Sequence, residues 1–117
     1  MYSNPLIALH AGIYIKEDPA CVSNLEVFEL RPDLLVAWAV VPITNDNYFE
    51  DLLFHGRWSV SHDTLSLWLT DEDEADLIEM NFHWKAGEWV SESNPLIFLR
   101  KRSGVEYISG PFYYDLR

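Results

Sequence analysis

Between Phe54 and Trp89 apolar and polar residues alternate almost without interruption, in two arms separated by a block of acid. Leu65, Leu67 and Leu69 alternate with Thr64, Ser66 and Thr70, and Trp68 falls on the polar face. Ile78, Met80, Phe82 and Trp84 share one face, with Glu79, Asn81 and His83 opposite. A period of two marks a half-buried strand, because successive side chains leave a strand on opposite sides. Ser61-His62-Asp63 and Lys85-Ala86-Gly87 read as the turns of these arms, the second with glycine where a hairpin requires positive φ.

The same reading predicts further strands over residues 11–16, 25–30, 34–42 and 52–60, then over 88–92, 96–101 and 105–108. Residues 34–42 are apolar on both faces, which predicts a central strand or one facing a filled interior. Residues 5–9 form either a strand or a short helix. Residues 44–54 carry the one helical turn this pattern suggests, with Asn47 and Glu50 at capping-box spacing. The aromatic tail, residues 110–117, is expected to close one edge or one end. Turns every eight to twelve residues and no long helical period make residues 1–117 a single all-β domain. The expectation is an antiparallel meander barrel or sandwich of about eight strands with at most one short helix.

An ordered set of short motifs narrows this further. Gly12-Ile-Tyr is followed by Pro19-Ala-Cys21 and by the turn Arg31-Pro-Asp33. Gly56-Arg-Trp58, Asp63-Thr-Leu-Ser-Leu and Asn94-Pro-Leu-Ile-Phe-Leu come later. Over roughly residues 11–100 this order resembles small bacterial lipocalin-like barrels, including the N-terminal domain of copper-stress lipoproteins of the NlpE kind. The resemblance implies a small lipocalin-like barrel whose work is ligand or partner binding. The chain departs from that family in having no lipid-attachment cysteine behind a signal peptide. It also has Asn24 where a C-x-x-C loop would need a second cysteine. A disulfide or metal role does not carry over.

Composition sets the outer limits. Hydrophobic residues make up 49% of the chain and aromatic residues 15%, which excludes the disordered class. The lone Cys21 cannot form an internal disulfide. With no leader pattern in the first residues and no apolar run near the ~20 residues that span a bilayer, the expectation is a cytoplasmic protein that does not bind membranes. The net charge is −11, unevenly spread: residues 1–99 carry −13 and the last eighteen carry +2. Such a field repels nucleic-acid phosphates and favours encounter with basic partners, or serves solubility alone.

The candidate chemistry is correspondingly sparse. Asp71, Glu72, Asp73, Glu74 and Asp76 lack the glycine and glutamate that an EF-hand loop needs, since Asp76 and Phe82 stand at those positions. The loop is either a solvated turn or a docking surface for lysines and arginines of a partner. The four histidines show no metal-ligand spacing, and Cys21 sits beside acids that disfavour a thiolate. No nucleophile elbow or phosphate-binding glycine loop is present. These features predict a non-enzymatic acidic protein without cofactor or metal. Its expected partner has a basic surface, as for an inhibitor or toxin-immunity protein, and the five acids are the contact surface. A second expectation is a carrier or sensor of a small apolar ligand held among Trp58, Trp68, Phe82 and Trp84. Gly56 is expected to allow a bulge or close backbone approach, with Trp58 plugging one end of the barrel. The basic run Arg100-Lys101-Arg102 is expected to pair internally or to protect a strand end.

Overall fold

A computed structural model describes residues 5–20, 24–42, 52–71 and 76–102. Within them a short helix, α1 (Pro5–His10), leads into eight strands: β1 (Gly12–Glu17), β2 (Asn24–Leu30), β3 (Leu35–Pro42), β4 (Leu52–Ser61), β5 (Thr64–Thr70), β6 (Leu77–Lys85), β7 (Glu88–Ser91) and β8 (Phe98–Lys101). Each strand pairs antiparallel with its neighbour in sequence, and β8 returns to β1, giving a closed meander barrel. Closure removes both sheet edges. The expected all-β fold is therefore the observed one.

Most of the predicted boundaries shift by one or two residues, for local reasons. Leu34 is not the first residue of β3; it adopts φ 68° at the end of the β2–β3 turn. Its N–H donates to the Arg31 carbonyl, and the Asp33 carboxylate caps the Leu35 N–H. Residues 5–9 resolve as helix. Residues 52–54 belong to β4, so the helical turn expected there does not reach them, and residues 44–51 lie outside the described set. β8 starts at Phe98 because Asn94 turns the chain first, its side chain and its carbonyl accepting the N–H groups of Leu96 and Ile97. The strand expected over 105–108 and the aromatic tail also lie outside the described residues, as does Cys21.

Large side chains pack the middle of the barrel. Phe28, Trp38 and Phe54 stack face to face from β2, β3 and β4, with ring centroids 5.5 and 4.5 Å apart. Leu65, Leu67 and Leu69 of β5 are fully buried against the same core. β3 is apolar on both faces, as its sequence suggested: Val36 and Trp38 point inward, while Ala37, Ala39 and Val41 join Ile13 and Val27 in a second buried cluster on the outer face.

The two barrel ends differ. At the helix end, Leu6 and Ile7 of α1 pack on the core. Buried His10 meets Trp84 and Trp89 edge-on at 4.8 Å each. The Tyr14 hydroxyl donates to the His10 carbonyl and Lys101 Nζ donates to the Leu9 carbonyl. Burial, and then the nearby Lys101 ammonium, push the His10 pKa below its ordinary 6.5, so the imidazole in the plug is neutral at neutral pH. Trp58 is the expected plug. It is 1% exposed, and its indole N–H donates to the Arg31 carbonyl at 2.8 Å, tying the β2–β3 turn to β4.

Gly56 allows the approach its position suggested. A Cβ there would lie 1.7 Å from the Trp68 carbonyl oxygen. Gly87 differs: its φ is +84° in the β6–β7 turn, with nothing within 4 Å of a built Cβ. The two glycines thus answer different needs, one of space and one of backbone conformation. Gly56→Ala is expected to lower stability by about 3 kcal/mol or more, because backbone must move. Gly87→Ala should lower it by only about 1 kcal/mol. Urea unfolding of both variants checks this, and equal losses would rule out the close approach.

Candidate functional site

The end of the barrel opposite α1 gathers the C-termini of β1, β3, β5 and β7 and the N-termini of β2, β4, β6 and β8. β7 and β8 have four residues each, whereas β6 has nine. The β6–β7 ladder begins only at Phe82 opposite Ser91, with one further hydrogen bond from the Glu92 N–H to the Asn81 carbonyl. The first part of β6 therefore has no strand partner on its β7 side. A cleft of about 380 Å³ opens there, between β6 and the end of β1. Met80, Phe82 and Ile97 form its apolar walls, Ser91 and Ser93 supply hydroxyls, and Lys16 completes the lining from β1. Glu79, Asn81 and Glu92 stand around it.

Lys16 reaches this place by strand phase. It follows Gly12 and Tyr14 on the inner face of β1, and Glu26 precedes Phe28 and Leu30 on the inner face of β2. Lys16 Nζ lies 3.1 Å from one carboxylate oxygen of Glu26, and the Trp38 indole N–H donates to the other at 3.1 Å. Side-chain exposure is only 19% for Lys16 and 10% for Glu26, so this is a charge pair set into an apolar barrel. Removing such charges from water is costly, and only their mutual contact and the indole hydrogen bond offset it.

Acid surrounds this end. Glu17 ends β1 and Asp18 follows it, Asp71 and Asp76 flank the β5–β6 connection, and Glu79 and Glu92 border the cleft. Lys16 is engaged with Glu26 and Arg100 with Glu17, while Arg57 lies mid-strand on β4 opposite Trp68. Arg31, Lys85, Lys101 and Arg102 lie towards the helix end instead. Apolar side chains interrupt the acidic rim, with Leu52 56%, Leu77 67% and Leu96 65% exposed. The His83 Nε2 is 3.0 Å from Glu92 on the outer wall.

Of the five acids expected to form a contact surface, Asp71 and Asp76 border the β5–β6 connection at this end. Glu72, Asp73 and Glu74 lie outside the described residues. The four aromatics expected around a ligand do not converge. Trp58 is sealed in the core, and Trp68 is on the outer face opposite Arg57 and Glu79. Trp84 caps His10 at the far end, so Phe82 alone lines the cleft. Arg100 pairs with Glu17 and Lys101 holds α1, which is the internal use expected for the basic run. Among the described residues no group of three His, Cys, Asp or Glu side chains could hold a metal ion, and no helix is long and apolar enough to cross a membrane.

Sequence reading did not single out Lys16, Glu26, Ser91 or Ser93. The available signal was phase, since Lys16 and Glu26 occupy positions that alternate with Tyr14 and Phe28. Comparisons with known protein families, characterised proteins and solved structures gave no match. The fold and site define a small closed β-barrel with one plugged end and one acidic, cleft-bearing end.

Lys16→Met is expected to lower stability by about 3 kcal/mol, because it leaves the Glu26 carboxylate buried without its cation. Lys16→Met/Glu26→Gln should recover most of that loss. Chemical unfolding of the two variants decides it: a double variant no more stable than the single would contradict the buried-pair reading.

Proposed function

We propose that this chain is a non-enzymatic acidic binding protein whose cleft-bearing end docks a basic protein partner, in the manner of an inhibitor or toxin-immunity protein. One observation carries the reading: the barrel is polarised. Six described carboxylates stand at or towards one end, where Lys16 and Arg100 are already paired, and the exposed leucines 52, 77 and 96 are set among them. Apolar anchors ringed by like charge suit a protein interface. The leucines supply desolvated contact, and the carboxylates supply association rate and discrimination. Solubility alone calls for charge mixed over the surface and does not call for exposed leucines at the same place. The middle of the barrel is packed with large side chains, which supports work done at its end and on its outer surface. Kinship with the lipocalin-like lipoproteins is part of the same proposal and rests on the motif order.

The test is affinity capture at low salt, followed by titration of the captured partner against a variant with Asp71, Glu72, Asp73, Glu74 and Asp76 all changed to Lys. The expected result is a basic partner whose affinity falls at least tenfold in the variant, chiefly through slower association, with a weaker dependence on salt. Unchanged affinity and unchanged salt dependence would remove the acidic end from the interface.

A further inference from the structure

Beyond partner docking, we propose that the cleft between β6 and β1 is a small-molecule site for an uncharged ligand with a short apolar body and one carbonyl or hydroxyl oxygen. The cleft is not the middle of the barrel, which the Phe28–Trp38–Phe54 stack occupies. It exists because β7 and β8 are too short to cover the first half of β6. Its volume of about 380 Å³ falls within the usual range for ligand sites. Its walls also combine apolar surface with a few placed polar groups, as such sites do.

The chemistry of the lining selects the ligand. An ammonium group has three N–H donors, and Glu26 takes one of those on Lys16. The remaining donors serve a cleft that Lys16 itself lines, next to the hydroxyls of Ser91 and Ser93, which are 3.0 Å apart. An oxygen acceptor is therefore the polar group that fits. Met80, Phe82 and Ile97 receive the hydrocarbon part. Charge excludes the ionic alternatives. Glu26 already neutralises Lys16, and Glu79 and Glu92 stand beside the cleft, so a carboxylate ligand meets net negative charge. An ammonium ligand, in turn, would have to face Lys16. A neutral oxygen avoids both penalties.

The test uses hexanamide, with hexanoate and hexylammonium as charged controls of the same length. The chain has two methionines, so the Met80 methyl is a well-separated NMR reporter, and the Trp38 indole N–H reports on Glu26. Hexanamide should shift both signals saturably and bind at least tenfold more tightly than either control. Lys16→Met/Glu26→Gln keeps the barrel free of an unpaired charge, and in it hexanamide should lose at least tenfold in affinity. Ser91→Trp, which fills the cleft, should abolish the Met80 shift. The proposal is overturned by the absence of a saturable Met80 shift up to about 10 mM, beyond which binding would be very weak. Preference for either charged control, or unchanged affinity in the double variant, would overturn it as well. The five-charge variant of the acidic loop should leave this titration intact, so the docking and ligand readings fail separately.

Discussion

Closing a sheet on itself requires the last strand to reach the first, and here β8 does so with four residues. Lys16 pairs with Leu99 and Ile15 with Arg100, while the Arg102 N–H donates to the Ile13 carbonyl just beyond the strand. This seam is short, since β8 meets β1 over four residue pairs and β7 over two. It has a geometric consequence. A nine-residue β6 beside a four-residue β7 leaves part of its length without a ladder, and the cleft follows from that mismatch. The same seam turns Lys16 into the cleft wall, since closure sets β1 next to the gap.

The two ends then acquire different physics. The helix end is sealed by packing and by satisfied polar groups: a neutral His10 between two indoles, a tyrosine hydroxyl on its carbonyl, and Lys101 on the carbonyl before it. The opposite end keeps a charge pair inside and a carboxylate-rich rim outside. A buried ion pair contributes little net stability compared with apolar residues of equal volume. Stability resides instead in the aromatic stack, the β5 leucines and the Gly56 contact.

Much of the fold was legible because β5 and β6 alternate cleanly, and the phase of Leu65 or Phe82 assigns the core without ambiguity. Trp68 was also readable as outward-facing from its place among polar residues. The site was much less legible. On β1 to β3 both faces are apolar, so Ile13 and Tyr14, or Val27 and Phe28, look alike in sequence although they belong to separate clusters. Alternation ties Lys16 to Tyr14 and Glu26 to Phe28, but without a polar face it does not say which of the two faces is inward. The aromatic residues misled for a related reason. Trp58, Trp68, Phe82 and Trp84 are close in sequence, yet strand pleat and height along the barrel send them to the core, the outer wall, the cleft and the helix end. The acidic block was plain in sequence, but its relation to the exposed leucines required the topology that places all the odd-to-even strand connections at one end.

The central claim is that a short β7–β8 seam closes the barrel and leaves the start of β6 uncovered. Cross-strand Hα contacts measured by NMR test it most directly. The expected result is strong Hα–Hα contacts in the β1–β8 ladder at its non-hydrogen-bonded pairs, Tyr14–Lys101 and Lys16–Leu99, with none from Met80 to residues 92–95. Missing β1–β8 contacts would mean an open sheet, and a continuous ladder from Met80 into residues 92–95 would mean that the cleft does not exist.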